Sequence, residues 1–400
     1  MGSENLPLLL GVAVAIAVVT AAVMIGALIS NHRLRRSLSQ LQALREQEAQ
    51  EFASAAHDQR RIGLVLNPTK TEAAQIARQV YRACSRAGLP EPMIYRTTAA
   101  DPGRSMALQA IRDGADVVLA AGGDGTVRKV AGALADEADG SVSLGVVPMG
   151  TGNLFARNIG LPYHDLEACI DEALHGPSSP VDLVDLVITD DDGGTVHEHS
   201  LVIAGAGMDA EVMSGTRDVL KQRAGWLAYG EAGARHLIGH RHPVTLTVDH
   251  ERPRTHKVRS VLLANCGSLQ AGMVLVPSAR FDDGRLDTVL FTPRHLWDWM
   301  RIVAKTVTRS QADLPVMQVR QGRTALLESA EPMPFQIDGD ALGEVLRVEA
   351  VVRPGAVKVN GVLQLPTRRR TLEDLERAGE EPAQRDQQAA VRAQYAARSA

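Results

Sequence analysis

Two glycine-rich turns in the first half of the chain have the composition of phosphate-binding loops. Gly122, Gly123, Asp124, Gly125 and Thr126 follow an apolar run and precede a helical pattern. Glycines let backbone N–H groups approach a phosphate, and the start of a helix adds further N–H groups and the positive end of its dipole. Asp124 could bind Mg²⁺ or order the loop, and Thr126 could cap the helix or donate to a phosphate. The alternative is an ordinary turn between a strand and a helix, where glycine is common.

The second glycine-rich turn has the sequence PMGTGN and contains Gly150, Thr151, Gly152 and Asn153. It also follows an apolar run, as does the NPTK turn that begins at Asn67. Ligands of parallel sheets bind beyond the carboxyl ends of the strands, so the three turns are predicted to form one phosphate site. The Walker A sequence GxxxxGK[ST] is absent, which excludes a P-loop enzyme.

Acidic residues beside glycine recur in the second half of the chain. PSARFDDGRLD places Asp283 directly before a glycine, and FQIDGD places Asp338 and Asp340 on either side of one. Carboxylates on tight turns suit Mg²⁺, although Asp-Gly is equally a common hairpin turn. The GAGMDA segment at residues 205–210 matches GxGxxA, but no βαβ unit surrounds it, so we reject a dinucleotide-binding interpretation.

Hydrophobic periodicity predicts the elements that must position these turns. Between residues 61 and 184, short apolar runs alternate with amphipathic helical patterns, which is typical of an α/β domain with a largely parallel sheet. From residue 185 to 344, strand-like runs are separated by Gly, Pro and Asp, and helical patterns occur only at Val219–His236 and near Leu296–Arg309. This predicts a mostly antiparallel β domain, and we expect residues 345–364 to complete the first domain.

Composition narrows the function further. The chain has 400 residues, a net charge of −4 and three cysteines far apart in apolar stretches. These values predict two domains with appendages, no nucleic-acid partner, and buried thiols instead of a disulfide framework or a cysteine zinc site. His236, His240 and His242 lie close together in sequence, but their spacing fits no common zinc site. We expect there a solvated loop or a basic surface facing anionic lipid.

An apolar segment near the N-terminus predicts a membrane anchor. Residues 6–29 carry no charge, and a bilayer span needs about 20 apolar residues. Arg33, Arg35 and Arg36 follow it, so the positive-inside rule places the remaining chain in the cytoplasm. A cleaved signal peptide would need a basic n-region and a shorter apolar core. We predict a single-pass protein of the cell membrane with a helical stalk over residues 30–60 that could support a homodimer, and a disordered charged tail over residues 366–400.

The order NPTK, GGDGT, PMGTGN and FQIDGD resembles the diacylglycerol kinase catalytic domain. That family includes bacterial lipid kinases and sphingosine kinases, and is similar in architecture to NAD kinases and 6-phosphofructokinases. The resemblance covers the chain from Arg61 to Gln364. It implies an α/β nucleotide-binding domain, a C-terminal antiparallel β-sandwich, and ATP- and Mg²⁺-dependent phosphorylation of a membrane lipid, diacylglycerol first.

The resemblance also implies roles for individual residues. Asp338 would accept the proton of the lipid hydroxyl, with Asp124 as the second candidate base. Asp283, with the backbone of Arg280 and Arg285, would hold a structural Mg²⁺, and Asp209 would lie near the lipid headgroup. The implied ATP-binding set is Asn67, Thr97, Thr98, Gly122, Gly123, Asp124, Gly125, Thr126, Gly150, Thr151, Gly152, Asn153 and Asp340.

Alternative functions remain open on the sequence. The acceptor could be a sphingoid base, a polyprenol, or a soluble molecule as in NAD kinases. The apolar N-terminal segment and the PSARFDDGRLD turn favour a lipid. Position 340 holds Asp where the family has Glu, which keeps a non-catalytic nucleotide-binding membrane sensor among the alternatives.

Overall fold

The computed structural model describes residues 60–207, 240–269, 274–308 and 314–363. The predicted anchor, nearly all of the stalk, and the charged tail lie outside the described residues, as do Asp209, His236 and the helical pattern at Val219–His236. Within the described ranges, no helix has both the length and the apolar character needed to cross a membrane. The three cysteines are buried thiols, as their apolar surroundings predicted.

A parallel sheet forms the first part of the described chain. Its strands are β1 (Ile62–Leu66), β2 (Met93–Arg96), β3 (Val117–Gly122) and β4 (Ser143–Pro148), in the order β4-β3-β1-β2. Every residue of β1 and β3 is buried, which explains why these strands are continuous apolar runs without alternation. Leu64 of β1 lies opposite Ile94 on one side and Leu119 on the other.

The helices of this part are α1 (Ala73–Arg86), α2 (Arg104–Arg112), α3 (Asp124–Glu137), α4 (Leu154–Asn158) and α5 (Leu166–His175). Glycines let two of them, α3 and α5, pack closely against their neighbours. A Cβ atom added to Gly145 of β4 would lie 2.8 Å from the Cβ of Ala173 in α5, so glycine is needed there. A Cβ added to Gly132 of α3 would lie 2.5 Å from Nδ1 of His199.

Antiparallel strands make up the second part. They are β5 (Ser178–Asp190), β6 (Thr195–Ser200), β7 (Ile203–Gly207), β8 (His242–Val248), β9 (Arg254–Val258), β10 (Ser260–Ala264), β11 (Leu286–Phe291), β12 (Met317–Gly322), β13 (Thr324–Ile337) and β14 (Asp340–Asn360), with helix α6 (Leu296–Thr308) between β11 and β12. The predicted order of an α/β domain followed by an antiparallel β domain is therefore confirmed.

Strand β13 divides the antiparallel strands into two layers. Its first half pairs with β8 and its last residues, Phe335–Ile337, pair with β7, with an irregularity between Glu328 and Met333. One layer therefore has the order β9-β8-β13-β14-β5-β6, and the other has the order β12-β11-β10-β7-β13. Both layers contribute side chains to one apolar core, including Leu246 from the first and Leu263 from the second.

Strand β14 links the antiparallel layers to the parallel sheet. It pairs with β5 from Val345 to Asn360, with an irregularity between Arg353 and Val357, and its end also pairs in parallel with β4 through Lys358 and Val359. Strand β5 runs without interruption through residues 184 and 185, where the sequence placed a domain boundary. The turn between β13 and β14 is thus connected through β14 to the parallel sheet.

Candidate active site

The polar turns predicted from the sequence meet at one edge of the parallel sheet. The Thr97 N–H donates to the Leu66 carbonyl (3.0 Å), and the Asn67 N–H donates to the Ala121 carbonyl (3.0 Å). The Met149 N–H donates to the Gly122 carbonyl (2.8 Å). These hydrogen bonds join the carboxyl ends of all four parallel strands, so the turns that follow them form one continuous surface.

The two glycine-rich turns touch each other through glycines. Gly122 ends β3, Gly123 precedes α3, and Asp124 is already the first helical residue. A Cβ atom on Gly122 would lie 2.5 Å from the Thr126 Oγ1, and one on Gly150 would lie 3.1 Å from the Gly123 Cα. The turn therefore has no room for side chains, and it presents the backbone at the N-terminus of α3.

Several polar side chains of the predicted ATP-binding set form hydrogen bonds within their own turns. Asn153 has a φ of 46°, its Oδ1 accepts from the Gly150 N–H (2.9 Å), and its Nδ2 donates to the Gly150 carbonyl (2.8 Å). Thr98 Oγ1 accepts from the Asp101 N–H (3.0 Å), and Asn67 Oδ1 accepts from the backbone and hydroxyl of the next threonine. Their role in the described structure is to shape the turns.

Asp338 and Gly339 form the two-residue turn between β13 and β14. Their φ values are 50° and 91°, and positive φ at both central residues is the geometry of a type I′ hairpin turn. Gln336 Oε1 accepts from the Gly339 N–H (2.8 Å) and fixes the turn further. The DGD motif is therefore a hairpin turn, and this geometry aims the Asp338 side chain into the protein.

The Asp338 carboxylate accepts four hydrogen bonds from the link between β6 and β7. Oδ1 accepts from the Ser200 hydroxyl (2.8 Å) and from the N–H groups of Val202 and Ile203 (2.9 Å each). Oδ2 accepts from the Leu201 N–H (2.9 Å). Asp338 is only 4% exposed. A carboxylate offers about four lone-pair positions, two on each oxygen, so these donors saturate Oδ1 and leave acceptor capacity on Oδ2.

Arg128 joins the hairpin turn to helix α3, a role that the sequence pattern did not indicate. Its Nη1 lies 3.0 Å from Glu198 Oε2, its Nη2 lies 3.3 Å from Asp340 Oδ2, and its Nε lies 3.9 Å from Asp338 Oδ2. The neighbouring Lys129 contacts both oxygens of Glu198. Arg128 is 6% exposed. One buried cation therefore balances carboxylates from two other parts of the chain.

Asp124 lies beside this network and has a different environment from Asp338. Its Oδ1 accepts from the Phe155 N–H at 3.3 Å. Burial raises the pKa of Asp124 to about 6, and the negative charges of Asp338 and Asp340 act in the same direction, against the hydrogen bonds from Phe155 and Leu154. A carboxyl group with this pKa can accept a proton near neutral pH.

Comparisons with known proteins agree with this geometry. The profile of the diacylglycerol kinase catalytic domain matches residues 61–186, and that of the YegS C-terminal NAD kinase beta sandwich-like domain matches residues 202–361. A protein of Stenotrophomonas maltophilia named "Probable lipid kinase YegS-like" is 32% identical over 63% of this chain and 81% of its own length. The chain belongs to the diacylglycerol kinase catalytic domain family.

Other relatives support the same placement within the family. A diacylglycerol kinase of Bacillus subtilis is 25% identical over 70% of this chain and 90% of its own length. A crystal structure of a diacylglycerol kinase from Bacillus anthracis Sterne covers 76% of this chain and 98% of its own, with a TM-score of 0.57 and 18% identity, which shows a shared fold. As a family member, the chain is a phosphotransferase with an alcohol group as acceptor.

Asp340, where the diacylglycerol kinase family has Glu, lies directly over the first turn of α3. A Cβ atom on Gly125 would lie 2.5 Å from Asp340 Oδ2. The short aspartate therefore reaches the glycine-rich turn and contacts Arg128 at the same time. The structure brings together Asp124, Gly125, Asp338 and Asp340 from two distant segments.

The turn around Asp283 has the chemistry of the Mg²⁺ site that the family implies. Asp283 Oδ1 accepts from the Arg285 N–H (3.0 Å), so a backbone ligand at Arg285 would have to be its carbonyl. Burial raises the pKa of Asp283 to about 6, and the charges of Asp287 and Asp282 add to this, while the Arg285 N–H opposes it. Hard oxygen donors with mutually repelling charges fit Mg²⁺.

Asp182 holds this turn in place and was also missed from the sequence. Its Oδ2 accepts from the Gly284 N–H (2.6 Å) and its Oδ1 accepts from the Gly355 N–H (2.7 Å). Asp182 is 2% exposed, and burial raises its pKa to about 6 despite these hydrogen bonds. Asp182 therefore connects the turn around Asp283 to the irregular part of β14 near Gly355.

Proposed function

We propose that this chain transfers the γ-phosphoryl group of ATP to the hydroxyl group of a membrane lipid. Diacylglycerol is the proposed acceptor, and phosphatidic acid is the product. The observation that carries the proposal is the meeting of Asp124, Asp338 and Asp340 at the N-terminus of α3, beside two glycine-rich turns. Relatives named as diacylglycerol kinases and lipid kinases support the choice of acceptor.

The nucleotide is proposed to bind along the edge formed by the glycine-rich turns. Backbone N–H groups at Gly123 and Gly125, and the dipole of α3, attract phosphate oxygens because their charge is positive. Bound Mg²⁺ would neutralise phosphate charge, as it does in kinases generally. Asp283, with the carbonyls of Arg280 and Arg285, is proposed to hold a separate structural Mg²⁺.

Phosphoryl transfer requires one proton to leave the acceptor. In our proposal the lipid hydroxyl oxygen bonds to the γ-phosphorus as the bond to the bridging oxygen breaks, ADP departs, and the Asp124 carboxylate takes the proton. The resemblance ranked Asp338 first as the base. Its four hydrogen bonds support a positioning role instead, because Oδ1 is saturated and Oδ2 is held by the Leu201 N–H and faces Arg128.

The test is transfer of label from γ-labelled ATP to lipid by the full-length protein in mixed micelles with Mg²⁺. Diacylglycerol, a sphingoid base, a polyprenol and soluble NAD are compared as acceptors. Label in diacylglycerol is expected, and Asp124→Asn should lower the rate by about 10²–10⁴-fold. Asp192→Asn, at an exposed position in the β5–β6 turn, is the matched control.

The free energy of unfolding of the same variants distinguishes Asp124 from Asp338 as the base. Asp124→Asn should stabilise the fold at pH 7, because it removes a charge that burial disfavours. Asp338→Asn should lose activity and also about 2–4 kcal/mol of stability, because an amide cannot accept from all four donors. Full activity in Asp124→Asn would remove the proposed base, and label only in NAD would overturn the lipid acceptor.

Attachment to the membrane through residues 6–29 is part of the proposal, since it would keep the site where the substrate is concentrated. Alkaline extraction of membranes from expressing cells tests it. We expect the full-length protein to resist extraction, as a helix that spans the bilayer does, and release into the supernatant would contradict a single-pass anchor.

A further inference from the structure

Three side chains with metal-binding chemistry meet in the β domain, outside the active site. His240 precedes β8, His242 is its first residue, and Glu331 lies in the irregular stretch of β13. The Nε2 atom of His240 is 2.8 Å from Glu331 Oε2, and Nδ1 of His242 is 3.6 Å from the same oxygen. We propose that these residues bind a divalent transition-metal ion, with Zn²⁺ as the best fit.

The two separations from Glu331 are close to those around a tetrahedral ion, and the exposed His240 side chain can rotate to close the site. Zinc–nitrogen and zinc–oxygen bonds of about 2.0–2.2 Å place neighbouring ligand atoms about 3.3–3.5 Å apart. The three ligand atoms lie within 4.8 Å of one another, and the two shorter separations bracket the expected value. The imidazole rings are edge-on, with an interplanar angle of 87°, so they do not block each other by stacking.

Local structure explains why both imidazoles turn toward one carboxylate. Residues two apart in an extended segment point to the same side, which sets His240 and His242 together and Arg241 on the other side. Arg241 donates to the Lys257 carbonyl on β9. The sequence alone favoured a solvated loop or a basic surface, because it could not show that Glu331, 91 residues after His240, lies beside the histidines.

The backbone at this cluster is held by hydrogen bonds. Arg259 Nη1 donates to the His240 carbonyl (2.9 Å), and the Ser329 hydroxyl donates to the Glu331 carbonyl (2.6 Å). Such anchoring limits the movement needed to close around an ion. The side chains of His240 and Glu331 are 63% and 49% exposed, so an ion can enter from solvent and keep water at its remaining positions.

A surface ion pair would account for His240 and Glu331, but it gives no reason for a second imidazole at the same oxygen. Two protonated histidines would repel each other there, whereas two neutral imidazoles and a carboxylate are ligands that Zn²⁺ accepts together. Nitrogen donors also separate this site from the all-oxygen turn at Asp283, which suits Mg²⁺.

The experiment titrates Zn²⁺ into full-length protein without a histidine tag, stripped with EDTA and held in excess Mg²⁺ to occupy oxygen-only sites. We expect one tight equivalent by competition with a chromophoric chelator. His240→Ala and His242→Ala should weaken binding at least about tenfold, and Glu331→Gln should weaken it less. His250→Ala, at an exposed histidine just after β8, should bind as the wild type does.

Thermal unfolding provides a second measurement that does not depend on activity. An ion that binds only the folded state raises the melting temperature, so Zn²⁺ should stabilise the wild type and His250→Ala but not His240→Ala. His240 is largely exposed, so its loss should leave the fold intact. Equal zinc affinity in His240→Ala and the wild type, or no zinc binding by the wild type, would reduce the cluster to an ion pair and overturn the proposal.

Discussion

The Oδ2 atom of Asp340 lies 3.3 Å from Nη2 of Arg128, a residue 212 positions earlier in the chain. This contact closes the space between helix α3 and the hairpin turn that carries Asp338. Arg128 also faces Glu198, so its removal would leave Lys129 as the one described cation beside that carboxylate. The candidate active site is therefore assembled around a buried cation.

Arg128→Met is expected to lower the free energy of unfolding by about 2–3 kcal/mol, because hydrogen bonds to charged groups are lost while Lys129 still pairs with Glu198. Phosphoryl transfer should fall with it, because the hairpin turn loses its contact with α3. Denaturant unfolding measures the first effect. Arg301→Met is the control, since that side chain is 70% exposed, and an equal loss there would contradict the argument.

Gly125→Ala should damage activity more than stability. The new methyl group would meet Asp340 Oδ2, the far end of a side chain that can swing away and lose its contact with Arg128. We expect a stability loss of about 1 kcal/mol or less with a clear fall in turnover. In the double variant with Asp340→Ala, the two activity losses should not add, whereas additive losses would mean that the residues act independently.

The rate of phosphoryl transfer should depend on pH through Asp124. A base with a pKa of about 6 must be deprotonated, so kcat/KM should rise with pH up to about 6 and then level off. Asp124→Asn should lack this limb. If kcat/KM of Asp124→Asn rises over the same pH range as that of the wild type, the titrating group is not Asp124.

Acid stability should depend on Asp136, which lies in α3 near His199 and Arg353. Burial would raise the pKa of Asp136, but His199, Arg353 and Arg104 outweigh it and hold the pKa well below its ordinary value. A lowered pKa stabilises the fold above the unfolded value of about 3.9, and this stabilisation is lost as pH falls through the folded pKa.

Asp136→Asn should therefore cost about 1–2 kcal/mol at pH 7, with the difference from the wild type shrinking below about pH 4. Urea unfolding across pH values measures it, and Asp192→Asn serves as an exposed control. A difference that stays constant down to pH 2 would contradict the role of charge.

Asp182→Ala should destabilise the β domain by about 1–3 kcal/mol, because the N–H groups of buried Gly284 and exposed Gly355 would lose their acceptor. Hydrogen exchange at those amides should accelerate in the variant. Asp191→Ala, at an exposed turn position, should leave both amides protected as in the wild type.

Local patterns predicted much of the fold. Buried strands such as β1 and β3 are short apolar runs bounded by turn residues, and α3 follows its glycine-rich turn as expected. The sequence could place these turns at one edge because parallel strands share their direction. It could not show that Asn153, predicted to bind ATP, also holds its own turn through Gly150.

Long-range contacts explain what the sequence did not predict. Strand β6 ends at Ser200 and β7 begins at Ile203, although no Gly, Pro or Asp lies between them to mark the break. The backbone N–H groups of Leu201 and Val202 between them donate to Asp338, more than 130 residues later. Arg128 and Asp182 were missed for the same reason, since a charged residue in an apolar pattern acquires its role from partners elsewhere in the chain.

The length of strand β14 sets the separation between the Asp338 turn and the sheet that carries the glycine-rich turns. The strand begins at Asp340 and spans 21 residues, and near its far end it pairs with β4 of the sheet that carries the glycine-rich turns. Removing one residue would turn its remaining side chains to the opposite faces and shift the Asp338 turn. Insertions or deletions should therefore be tolerated in the exposed β5–β6 turn at residues 191–194. A change in the length of β14 should instead cost activity.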